Sequence, residues 1–146
     1  MVIQRTAIET ALDAMISNEM DMPFQGLAVV LAKQRWPELI ASERHNDLGL
    51  DAYAPASLSK DGIGKALASS LTATADKIKG DVRRFQEHRP DVKILLFATP
   101  RKVTNRKSES WKKTIQDEFG IELQILSRED IISDLQLPAN LPICQS

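Results

Sequence analysis

Eight consecutive residues, Val92-Lys93-Ile94-Leu95-Leu96-Phe97-Ala98-Thr99, constrain this chain more than any other stretch. A short run this apolar, bounded by Pro90 and Pro100, reads as a strand buried on both faces. Helical patterns stand on either side of it. Before it, Ala75, Ile78, Val82 and Phe85 recur at helical spacing, with Lys77, Lys79, Arg83 and Arg84 interleaved. After it, Trp111, Ile115 and Phe119 mark a second helix, with Ser108 as its expected cap and Gly120 as its terminating glycine. A strand enclosed by helices reaches its neighbours only through crossovers, so it pairs with them in parallel. Residues 63–71 and 121–126 are the predicted neighbours.

The front of the chain reads differently. Thr6-x-x-Glu9 has capping-box spacing before a helix whose buried face is Ile8, Leu12, Met15 and Ile16. Asp21-Met22-Pro23 starts a second helix, with Asp21 as its cap and Phe24, Leu27, Val30 and Leu31 as its buried stripe. Trp36-Pro37 ends it. Residues 39–42 and 50–54 then form two short strands around the polar turn Arg44-His45-Asn46-Asp47, a hairpin pattern. Ser127-x-x-Asp130 opens a last short helix with Ile131, Ile132 and Leu135. The fold class is therefore α/β: a mixed central sheet of about five strands flanked by helices on both faces. Residues 1–22 make an N-terminal helix and loop, 23–136 the core, and 137–146 a tail or linker, as expected of one part of a larger protein or homo-oligomer.

Composition narrows the chemistry. No apolar run approaches the roughly 20 residues that cross a bilayer, and the first residues form neither a secretory nor a transit signal, so a cytoplasmic address is expected. Cys144 is the only cysteine and His45 and His88 the only histidines, which excludes a disulfide framework and a cysteine zinc cluster. The net charge of −1 hides a division. Residues 60–113 carry 14 basic and 6 acidic side chains, whereas residues 1–59 carry 4 and 8, and residues 114–146 carry 1 and 6. A basic middle in a near-neutral chain marks either a polyanion-binding face or solvated helix faces. Its densest part is Arg101-Lys102-x-x-Asn105-Arg106-Lys107, read as a loop at the C-terminal end of a core strand, where α/β sheets place ligand sites.

Five places along this order resemble the restriction-endonuclease-like PD-(D/E)XK superfamily. Phe24-Gln25-x-Leu27 resembles the Phe-Glu-x-Leu of the first core helix. Gly49-Leu50-Asp51 resembles the Gly-x-Asp of the second strand. Residues 66–71 occupy the third strand, where a Glu-x-Lys belongs. Lys77-Ile78-Lys79-Gly80-Asp81 resembles the Lys-Ile-x-x-Asp opening the next helix, and residues 92–100 resemble the following core strand. The likeness runs over residues 23–135 and is nearest to the nuclease-like N-terminal domains of bacterial defence NTPases. It implies an αβββαβ core, DNA or another nucleic acid as partner, and Mg²⁺ as cofactor if the site is active. Such a site grips the metal with Asp and Glu on adjacent strands, while a lysine orients the attacking water.

The same resemblance implies Asp51 as catalytic and metal-binding residue, with Gln25 and Ser70 at the other motif positions; charge and position add Lys77, Arg101, Lys102, Arg106 and Lys107 as the expected nucleic-acid contacts. The sequence departs from the pattern elsewhere. Gln25 brings no negative charge. Ala68 and Ser70, or Ser69 and Leu71, stand where the acid and lysine belong. Replacements from nearby positions are open: Lys60, Lys65 or Lys77 for the lysine, and Glu43, Asp76 or Asp81 for the carboxylate. Asp51 also has a purely local reading, as a hairpin-end residue bonded to neighbouring amides. Gly62-x-Gly64-Lys65 lacks phosphate-loop spacing, and Ser69-Ser70 lacks a nucleophile elbow. The function expected is nucleic-acid association on a nuclease-like core with its catalytic residues mostly replaced. The alternative is a non-catalytic dimerisation or protein-interaction module.

Overall fold

The computed structural model describes residues 4–41 and 50–137. The elements run α1 (Arg5–Ser17), α2 (Asp21–Arg35), β1 (Ile40–Ala41), β2 (Ala52–Ala54), a 3₁₀ turn (Ala56–Leu58), β3 (Gly64–Ser69), α3 (Ala75–Gln86), β4 (Val92–Ala98), α4 (Asn105–Phe119), β5 (Glu122–Leu126) and α5 (Arg128–Leu135). The expected turn at residues 44–47, Gly49 and the tail from residue 138 lie outside the described residues.

One mixed sheet has the order β1-β2-β3-β4-β5. β2 is antiparallel to both β1 and β3, whereas β4 runs parallel to β3 and β5 runs parallel to β4. The two parallel steps are the ones crossed by α3 and α4, as the helix–strand–helix reading requires. β4 sits between two partners, and its last four residues are buried.

Alternation along the strands divides the core in two. Leu67, Leu96 and Ala98 face α1, α2 and α5, packing with Ile8, Leu12, Phe24, Leu31, Ile131 and Ile132. Ala66, Ala68, Leu95 and Phe97 face α3 and α4, packing with Ile78, Val82, Phe85 and Ile115. Each fully buried side chain of this size contributes roughly 1.5–3 kcal/mol. α1 belongs to the first of these layers, so the N-terminal helix shares the core of the remainder.

The helix starts correct several sequence readings. Thr6 does not cap α1: the helix begins at Arg5 after Gln4, and Thr10 Oγ1 donates back to the Thr6 carbonyl. Asp21 lies inside α2, and Met20 precedes it without a side-chain cap. Val30 is exposed, and Ala28 and Ala32 complete the buried stripe instead. Three successive apolar residues, Val29-Val30-Leu31, cannot all face inward at 100° per residue. α4 is capped by Thr104 rather than Ser108, its Oγ1 accepting from the Lys107 amide. Asn105, Arg106 and Lys107 therefore form a first helical turn, not a loop. Gly120 ends α4 in the left-handed region at φ 70°, as read, and Ser127 with Asp130 forms the capping box of α5.

Candidate functional site

Asp51 lies where β2 and β3 begin to diverge. Its amide donates to the Leu67 carbonyl at 2.7 Å, so its backbone is still held by β3. Its Oδ2 accepts from both the amide and the hydroxyl of Ser69, each at 2.5 Å. The local hairpin-end reading of this aspartate thus holds for its own hydrogen bonds. Charges from α3 also reach it. The negative charge of Asp81 and the positive charge of Lys77 both act on the Asp51 carboxyl. Burial pushes that carboxyl above its ordinary value, Asp81 adds to the rise, and the Ser69 hydrogen bonds and Lys77 oppose it.

Asp81 is only 2% exposed, although it is an aspartate on an amphipathic helix. Lys77, one turn earlier, donates to its Oδ1 at 2.9 Å. The Lys77 side chain is 34% exposed, so the ion pair has one end in the core and one at the surface. Burial raises the Asp81 carboxyl, against the pull of Lys77 and of the Arg84 charge. Two carboxylates, Asp51 and Asp81, and two cations, Lys77 and Arg84, therefore share one electrostatic neighbourhood with Ser69.

Of the open replacements, only Lys77 and Asp81 act on Asp51. Lys65 serves another cluster: it is 4% exposed, bonds Glu38 at 3.1 Å and Asp61 at 2.9 Å, and lies 6.0 Å from the Trp36 ring. Those two carboxylates hold the Lys65 ammonium above its ordinary value in spite of burial. Lys60 and Asp76 are exposed, and Glu43 lies outside the described residues. Gln25 is half-buried on α2, whose core residues pack on the sheet face opposite α3. No hydrogen bond among the described residues joins Gln25 to Asp51. Ser70 is next to the cluster, but its hydroxyl accepts from the Thr72 amide and its own amide donates to the Ala98 carbonyl.

Mg²⁺, the cofactor implied by the resemblance, does not find a fitting donor set. Lys77 already occupies an oxygen of Asp81 at ion-pair distance, and Asp51 Oδ2 is taken by two donors. Lys77 already neutralises one of the two carboxylates. No group of three or more His, Cys, Asp or Glu able to hold a metal exists among the described residues.

The basic residues share the end of the sheet with Asp51. β3 and β4 are parallel, and Ser69 pairs with Ala98. Arg101, just beyond Ala98, donates its Nε to the Leu71 carbonyl at 2.5 Å, joining the loop after β4 to the loop after β3. Lys102, Arg106 and Lys107 follow, all exposed and without an ion pair among the described residues. A cavity of about 530 Å³ opens beside Lys102, between the N-terminal ends of α4 and α5. Its three acidic side chains are engaged: Glu129 by Arg5, Asp130 in the capping box and Glu109 by Lys112. Of the five predicted nucleic-acid contacts, Lys77 is committed to the buried Asp81 carboxylate and Arg101 gives its Nε to the Leu71 carbonyl.

A second polar cluster was not anticipated. The Tyr53 hydroxyl lies 2.7 and 2.8 Å from the two Asp91 carboxylate oxygens, the Ala56 amide donates to Asp91 at 2.9 Å, and Arg89 stacks 4.7 Å from the Tyr53 ring. Burial and then the Asp91 contact push the Tyr53 phenol up to about 12. Only the coincidence of a strand tyrosine with the Arg89-x-Asp91 turn signals it, and that pairing is non-local. No family model, no curated protein and no solved structure matches the chain.

Proposed function

We propose that this domain binds nucleic acid through the basic rim at the C-terminal ends of β3 and β4, on a core related to restriction-endonuclease-like nucleases, and that strand cleavage is not its role. The observation that carries the reading is the Arg101–Leu71 contact, which ties the loop after β4 to the loop after β3, at the sheet end of Asp51; Lys102, Arg106 and Lys107 follow Arg101 in the chain. Support for kinship comes from the element order α2-β1-β2-β3-α3-β4, an αβββαβ succession with Asp51 at the start of the second strand. Exposed Lys and Arg side chains of this kind bind phosphates by releasing counterions, with little sequence selectivity. The replaced third-strand pair and the Lys77–Asp81 bond argue against metal-assisted hydrolysis.

The test is fluorescence anisotropy with a labelled DNA duplex across a salt series. Four phosphate contacts give a slope of log K against log salt of about −3.6. Replacing Arg106 and Lys107 with Gln should flatten it by about 1.8. Absence of binding at low salt, or binding indifferent to these substitutions, would overturn the reading. A plasmid-nicking assay with Mg²⁺ or Mn²⁺ completes it: nicking that disappears in Asp51→Ala would make the domain a nuclease after all. A protein-interaction role is favoured by a different observation. Met22 and Val30, 51% and 42% exposed, lie two turns apart on α2. No DNA affinity, together with a dimer dispersed by Val30→Glu, would select it.

A further inference from the structure

We propose that the Lys77 ammonium, bonded to Asp81, is a built-in cation that takes the place of a divalent metal ion in the cluster that Asp81 shares with Asp51, so that the cluster admits a divalent ion only when Lys77 is removed. This rests on the nuclease-like reading only for the site it is compared with.

The argument starts from burial. An aspartate with 2% exposure requires a counter-charge or a proton. Lys77 supplies the counter-charge at 2.9 Å, and helical spacing of four residues puts it there without any help from the strands. The long lysine stem lets the charge enter the cluster while its helix position stays at the surface. The hydroxyl and amide of Ser69 then satisfy Asp51, where a lone carboxylate beside Asp81 would otherwise be repelled. Charge, hydrogen bonds and space are all used by the chain itself. β3 and the residue after it offer Ala68 and Ser70 and no acid or lysine at these positions, so the cluster has two acids, and a lysine on the helix neutralises them better than a weakly held dication.

The experiment uses Mn²⁺ and the intact chain at mildly alkaline pH, which favours the ionised form of two carboxyls that burial raises. Paramagnetic broadening of the Asp51 and Ser69 amide signals reports binding at the cluster. Expected are no selective broadening in the native protein, broadening in Lys77→Met with Mn²⁺ bound at least about tenfold more tightly, and its loss in Lys77→Met/Asp51→Asn. Selective broadening in the native protein that Asp51→Asn removes would overturn the proposal. So would a folded Lys77→Met with no response. If Lys77→Met fails to fold, recovery of its helical circular dichroism by Mn²⁺ supports the proposal, and no recovery overturns it. The readout contains no nucleic acid, so failure of nucleic-acid binding and failure of this inference are separate results.

Discussion

Replacing Lys77 with methionine keeps the helix-forming stem and removes only the charge, leaving Asp81 buried without its partner. Breaking a buried ion pair by deleting one member costs about 3–5 kcal/mol. Lys77 is 34% exposed, so water already screens part of the attraction, and the loss should fall to about 2 kcal/mol. For a chain of 146 residues that corresponds to a Tm lower by about 4–8 °C. The sign with pH is specific. The folded-state pKa of Asp81 is raised, so the native state holds the proton more tightly than the unfolded chain. Its contribution is most favourable below the ordinary carboxylate pKa and is lost as pH rises through the folded value. Lys77→Met raises that value further. Its destabilisation should therefore be smaller at acidic pH, where Asp81 holds its proton, than at alkaline pH, as measured by urea unfolding at both. Asp81→Asn in the same background should remove the pH dependence. Equal destabilisation at the two pH values, or no effect of the added Asn, would refute the account.

Two further outcomes concern the opposite end of the sheet. Gly64→Ala should cost about 1–3 kcal/mol or more in thermal unfolding, because a Cβ there would run into the Asp91 backbone carbonyl, which cannot swing aside; a native-like Tm would show that β3 and β4 are not so closely apposed. The Tyr53 phenol should resist ionisation until about pH 12 by ultraviolet difference absorption, so stability should fall as pH rises through that range, and titration near the ordinary phenol value of about 10 would place the hydroxyl away from Asp91.

The fold was legible because its signals are periodic. Helical spacing identified Ile78, Val82 and Phe85 as the inner face of α3, and the apolar run at residues 92–99 located β4, a strand paired on both sides. The parallel half of the sheet then followed from connectivity alone. Cap positions were less legible. Thr104 and Ser108 are both competent caps one turn apart, and the intervening Asn105, Arg106 and Lys107 carry no apolar periodicity to decide between them. Here Thr104 accepts the Lys107 amide, and the helix gains a turn. Within the site, Asp51 was identified by its place in a motif and Lys77 and Asp81 by their spacing, but which of six candidates would join Asp51 depends on the approach of a helix to a strand end. Nothing in the local sequence reports that distance. Lys65 shows why: it lies on β3, the strand of the expected lysine, yet its side chain turns to Glu38 and Asp61.

Packing also decides whether β3 can hold an acid at the position where the sequence resemblance expects one. Ala68 is 1% exposed within the layer that includes Ile78, Val82 and Phe97. Ala68→Glu would drive a further methylene and a charged carboxylate into that layer. Overpacking alone costs about 1–3 kcal/mol, and an uncompensated buried carboxylate adds several kcal/mol more. Lys77 cannot relieve it, being bonded to Asp81. The sum approaches the whole stability of an ordinary domain, about 5–15 kcal/mol. Ala68→Glu should therefore unfold or aggregate the chain, whereas Ser70→Lys, at a half-buried position beyond the strand, should leave it folded. Circular dichroism of the two variants decides the matter. A folded Ala68→Glu with native-like Tm would mean that the layer has room for an acid, and that its absence from β3 reflects something other than the closeness of α3.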